Sequence, residues 1–223
     1  MGKGLSNFRG KDIIGFDEFA NGGLESIYSM TGERCPLIIV GSLERNHQHA
    51  AYGTGKFGSK RNRNFFGSRK DIEKILRYSR PYLDEEHPDF FYTTLDDNFR
   101  RSMSLSMTRA YAMALITFQF LNQYALNPDK TVILFHEVNG ARNSQYANEA
   151  LEIWLKQYGF DTPHFSRRGK AERKVPSIAV ADMTAYYLAA LRFFGDQKPN
   201  WPYRTRKVNP RDFLKIASEL QNK

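Results

Sequence analysis

Three separated stretches of the chain run apolar and then stop on an acid: Ile13-Ile14-Gly15-Phe16-Asp17-Glu18, Val132-Ile133-Leu134-Phe135-His136-Glu137 and Ile178-Ala179-Val180-Ala181-Asp182. Near-continuous apolar runs of this length are what strands buried on both faces require, so the first two predict central strands of a sheet. The third predicts the first turn of an amphipathic helix. All three bring a carboxylate out of the core at the end of an apolar run. Carboxylates gathered in one place repel one another unless a cation neutralises them, and hard divalent cations prefer oxygen ligands. The pattern therefore predicts metal-dependent chemistry at acidic strand tips.

With 223 residues, 41% of them hydrophobic, the chain can bury a core of ordinary size, and one domain with a sizeable insertion suits it better than two. Lys and Arg outnumber Asp and Glu by 33 to 24, a formal net charge of +9. That balance points to a polyanionic partner, with nucleic acid first and an anionic membrane surface second. The single cysteine, Cys35, has no partner for an internal disulfide or a zinc knuckle, which fits a reducing compartment. No apolar run is long enough to span a bilayer and the first ten residues lack a signal-peptide core, so a cytoplasmic protein with no membrane partner is expected. Whether the chain is a monomer or an oligomer is left open.

Along the chain, strands are expected at Ile13 to Asp17, Leu24 to Met30 and Pro36 to Ser42, joined by Gly-containing turns into a three-stranded antiparallel meander. From about 44 to 98 the periodicity gives way to Gly, Ser, Asn, Lys and Arg, which reads as an inserted basic segment with a short helix near Asp71 to Tyr78. Phe90 to Thr94 is expected to add an edge strand. Arg101 to Tyr124 predicts a long helix rich in Met, Ala, Leu and Phe, ended by Asn127-Pro128. A strand at Thr131 to Glu137, a helix at Ser144 to Tyr158, a short strand near Thr162 to Arg167 and a helix from about Ser177 to Phe194 follow. A Pro-rich link at Lys198 to Tyr203 then leads to a last helix, Asp212 to Leu220, making residues 198–223 a helical extension.

Three meander strands followed by alternating helices and strands is an order similar to the ribonuclease H-like fold, an α/β fold on a mixed sheet. Within that superfamily, Gly15-Phe16-Asp17-Glu18-Phe19-Ala20-Asn21-Gly22 resembles the Asp-Glu start of type 2 ribonucleases H, and Glu137 with Asp182 is similar to the remaining acids. The third acid is Glu where the type 2 enzymes have Asp, and the helix from Arg101 carries no acid on its own turns, although Asp96 and Asp97 stand just before it. The resemblance covers most of residues 12 to 195 and extends to archaeal single-strand-specific 3'-to-5' exonucleases. It implies a nuclease that hydrolyses phosphodiester bonds with Mg²⁺ or Mn²⁺ held by Asp17, Glu137 and Asp182.

Each acid also has a plainer reading. Asp17 precedes the turn-forming Asn21-Gly22-Gly23 and so suits turn initiation. Glu18 shares a site with Asp17 only if the strand bends, because successive strand residues point to opposite faces. Glu137 suits a loop or a cap, and His136 points away from it on a regular strand, where a packed histidine is the simpler reading. An acid in the first turns of a helix, such as Asp182, is favoured by the helix dipole whatever its function.

Two basic stretches suit the phosphate chain of a nucleic acid. Lys56, Lys60, Arg61 and Arg63 interleave with Phe57, Phe65 and Phe66, a mixture of cations and stacking faces that fits single-stranded DNA better than a continuous duplex. Lys170 and Lys174, just before the Asp182 helix, are placed to stabilise charge on a transferred phosphate. The same residues also read as a solvated loop anchored by core aromatics. His47 and His49 lack a third ligand at zinc-like spacing, Gly53-Thr54-Gly55-Lys56 lacks the full phosphate-loop spacing, and Met103, Met107 and Met113 read as core packing. The expected function is thus a metal-dependent nuclease, a 3'-to-5' exonuclease on single-stranded DNA by the resemblance. Its rivals are an endonuclease on RNA:DNA hybrids and a non-catalytic nucleic-acid-binding protein with a decayed site.

Overall fold

A computed structural model describes residues 8–19, 37–46, 90–95, 105–135, 152–156 and 204–213, with 177, 178, 181, 184, 185, 188 and 215. Five strands are present among them: β1 (Asp12–Phe19), β2 (Leu37–Glu44), β3 (Phe90–Leu95), β4 (Thr131–Phe135) and β5 (Thr205–Lys207). The long helix α1 is Leu105–Tyr124; residues 152–156 form α2, and positions 177, 178, 181, 184, 185 and 188 are helical and define α3.

The strands form one mixed sheet in the order β4-β1-β2-β3-β5, so the fold class is α/β. β1 pairs antiparallel with β2 and parallel with β4, β2 pairs antiparallel with β3, and β3 pairs parallel with β5. The apolar run of β1 is explained by this order: neighbours flank it on both sides, and Ile13 and Ile14, pointing to opposite faces, are both fully buried, whereas β4, expected as a central strand, is the last strand on its side among the described residues.

The sheet revises the expected meander. β1 lies directly against residues 37–44, so Leu24 to Met30 cannot stand between them, and the antiparallel trio is β1, β2 and β3. The stretch expected as an insertion over 44–98 contains β3, whose Phe90 and Phe91 are fully buried in the core. Nor is β3 an edge, because β5 covers its outer side. The expected strands at Leu24 to Met30 and Thr162 to Arg167 and the helix near Asp71 to Tyr78 lie outside the described residues.

Strand alternation sorts the core onto two faces. Ile14, Phe16, Leu37, Ile39, Phe91, Leu95 and Ile133 pack against α1. Ile13, Val132 and Leu134 pack against Ile178 of α3 on the other face. The described positions of α3 follow helical spacing and are all buried: Ile178, Ala181, Ala185 and Leu188, with the small polar Ser177 and Thr184 among them. Met113 is buried and Met107 packs at the rim of the α1 core, as a packing role requires.

α1 is 20 residues long, about 30 Å, and stops at Tyr124, the expected end. Ala125 turns into the left-handed region at φ 48°, its N–H returning to the Leu121 carbonyl at 3.0 Å. Asn127 instead caps the short 3-10 turn Pro128–Lys130 that leads into β4. Among the described residues no helix is long and apolar enough to cross a membrane.

Candidate functional site

Two glycines let the helices approach the sheet. A Cβ on Gly41 would stand 2.6 Å from Ile116 Cγ2 and 2.9 Å from the Phe16 ring, so this site lets α1 close on β2. A Cβ on Gly15 would meet Ser177 Oγ at 2.5 Å and the Ile178 backbone nitrogen at 2.6 Å, so α3 begins directly on β1. Ser42, the register partner of Gly15, secures the contact by donating its hydroxyl to the Ser177 carbonyl at 2.5 Å.

Asp17 lies two residues beyond Gly15 on the same face of β1, the α3 face. Its half-buried carboxylate accepts the Glu18 backbone N–H on Oδ1 at 2.7 Å. β1 and β4 are parallel, and Phe135, the last described residue of β4, stands opposite Phe16, one residue before Asp17. Glu137, two residues past Phe135, and Asp182, one residue past the fully buried Ala181, lie outside the described residues. The same holds for His136, the basic and aromatic residues of 56–66, and Lys170 and Lys174.

Glu18 goes elsewhere. The β1–β2 register runs unbroken through Asp17↔Val40, Glu18↔Ile39 and Phe19↔Ile38, so no bulge turns Glu18 toward its neighbour. Its carboxylate emerges on the α1 face and accepts both Nε and Nη2 of Arg109 in a bidentate fork. The pair is largely buried, with 17% of the Arg109 side chain and 12% of the Glu18 side chain exposed. In this arrangement a guanidinium neutralises Glu18. Among the described residues no three of His, Cys, Asp and Glu converge as a metal-holding group.

Sequence reasoning missed Arg109, although a signal existed: it is the one charged residue in the whole of Leu105–Tyr124. It also missed the strand at Thr205–Lys207, three polar residues with no apolar alternation to mark them. The segment around that strand is bound firmly to the core. Val208 N–H donates to the Tyr92 carbonyl at 2.8 Å, the Tyr111 hydroxyl donates to the Pro210 carbonyl at 2.6 Å, and the Phe213 ring stacks on Tyr111 with centroids 4.6 Å apart. Residues 204–213 thus add a strand to the sheet and pack on its core, and Phe213 and Lys215 are helical, within the helix expected from Asp212.

The chain matches no protein-family model and no curated protein sequence.

Proposed function

We propose that this chain is a ribonuclease H-like nuclease that hydrolyses phosphodiester bonds, acting as a 3'-to-5' exonuclease on single-stranded DNA. The observation that carries the reading is the pairing of β1 with β4: two buried parallel strands run side by side up to Phe16 and Phe135, with Asp17 the next residue of β1 and α3 packed on Gly15 two residues before it. Three antiparallel strands, a helix and a fourth strand returning parallel beside the first support the fold assignment.

Asp17 is the proposed central ligand for Mg²⁺ or Mn²⁺, with Glu137 and Asp182 completing the set. Such ions supply water activation and stabilisation of the leaving oxygen when bound. The chain's own contribution is to aim the Asp17 carboxylate: the Glu18 N–H holds Oδ1, and Arg109 holds Glu18. In this reading Glu18 positions the tip of β1 and is not itself a ligand. Lys56, Lys60, Arg61, Arg63, Phe65, Phe66, Lys170 and Lys174 are the proposed contacts to the strand.

Asp17→Asn is the test. The expected result is loss of Mg²⁺- and Mn²⁺-dependent cleavage of labelled single-stranded DNA, with folding and DNA binding retained. Wild-type turnover by Asp17→Asn would remove the ligand role, and preferential cleavage of RNA:DNA hybrid at internal positions would replace exonuclease by endonuclease.

A further inference from the structure

On the edge of the sheet formed by β5 lies a cleft of about 280 Å³ between that strand and α1. Phe91 and Val208, both buried, line it, and its polar lining includes Gln119 and Gln123 from successive turns of α1. Among the described residues its charged lining is Arg206, Lys207, Lys215 and Asp212. None of these groups belongs to the acidic tip of β1, which is three strands away across the sheet, about 14 Å at ordinary strand spacing.

A basic run is usually a solvated, loosely held face. This one is different in its mounting. Arg206 is fixed by β5 pairing with β3, and its Nη1 donates to Gln123 Oε1 at 2.7 Å. Val208 is tied to Tyr92, Asp212 N–H returns to the Asn209 carbonyl at 3.0 Å, and Phe213 is packed among Tyr111, Trp154 and Phe118. The cations are therefore carried on a frame already ordered before any ligand arrives, which lowers the entropic cost of binding an anion. A planar guanidinium and ammonium groups lining one cleft are donor types suited to phosphate oxygens.

We propose that this cleft binds a backbone phosphate of single-stranded nucleic acid, as an anchoring site separate from the acidic tip of β1. The choice of nucleic acid as the source of the phosphate rests on the nuclease reading. Lys207 and Lys215 are exposed, so replacing them leaves the packing of the segment intact.

The experiment measures binding of fluorescein-labelled oligothymidine to the full chain in EDTA across a salt series. Lys207→Ala/Lys215→Ala is expected to weaken binding and to lower the salt slope by at least about 0.7, the share of one lost phosphate contact. Asp212→Asn is expected to tighten binding several-fold. Arg206→Gln is read alongside them, with thermal melting as the folding control. An unchanged affinity and slope in the double lysine variant overturns the proposal, as does saturation by inorganic phosphate in a protein that binds no oligothymidine. Cleavage is scored separately with Mg²⁺. Cleft-dependent binding by a wild-type protein that never cleaves would sustain the anchoring site and overturn the nuclease, whereas Asp17-dependent cleavage with an indifferent cleft would do the reverse.

Discussion

Arg109 grips Glu18 through Nε and Nη2, one edge of its guanidinium, while Asp17, the preceding residue of the strand, emerges on the opposite face of the sheet. The two adjacent acids are thereby given different chemistry by the alternation of a regular strand. With both partners largely buried, removing the guanidinium takes away the cation that neutralises the Glu18 carboxylate. Arg109→Met is expected to cost roughly 3 kcal/mol. The double change Arg109→Met with Glu18→Gln should recover most of that loss. Urea denaturation of the two variants and of wild type checks it, and equal stabilities of single and double variants would contradict the pairing.

Gly15→Ala and Gly41→Ala form an informative pair. Both add a methyl group to a packed core, for which overpacking costs about 1–3 kcal/mol. At Gly41 the atoms in the way belong to side chains, those of Ile116, Phe16 and Phe120. At Gly15 they include the Ile178 nitrogen and the Ser177 carbonyl carbon, which move only if α3 moves. Gly15→Ala is therefore expected at the upper end of the range and Gly41→Ala below it, with Gly15→Ala also reducing cleavage. Chemical denaturation together with a nuclease assay separates the two.

Ala125 is exposed and holds φ 48°, so a glycine there relieves strain without disturbing packing. Left-handed strain of roughly 1–2 kcal/mol is partly offset by the extra freedom of glycine in the unfolded chain, about 0.5–1 kcal/mol. Ala125→Gly is expected to raise stability by about 0.5 kcal/mol or slightly more, measurable as a higher melting temperature.

Burial raises the Tyr111 hydroxyl above its ordinary pKa of 10.0, and the same cause raises Tyr92. Below pH 10 both states of the chain keep the proton and stability is insensitive to it. As pH rises above 10.0 the unfolded chain ionises first, so stability is lost until the folded pKa is passed. Tyr111→Phe should flatten this alkaline loss. It should also cost about 1 kcal/mol at neutral pH, because the bond to the Pro210 carbonyl goes with the hydroxyl. Melting curves at neutral pH and above pH 10 read both effects.

The apolar runs at Ile13–Phe16 and Val132–Phe135 and the Met- and Ala-rich helix were legible in the sequence, because burial on both faces or on one broad stripe leaves a periodic mark. Asp17 was legible as an acid on a buried strand, although β1 runs on to Phe19 rather than ending at it. Strand order was not legible, since pairing is decided by long-range contacts: residues 37–44 took the place beside β1, and 90–95 became an interior strand. Nothing local marks Thr205–Lys207 as a strand either, because its pairing with β3 comes from the chain returning to a free sheet edge. The partner of Glu18 was likewise set by tertiary structure, which brings together residues 91 positions apart. Sequence alone determined which segments must be buried and where a carboxylate leaves the core. Only the tertiary structure decided which face each carboxylate serves and which charge meets it, because those depend on register and helix placement, and these are fixed by contacts distant along the chain.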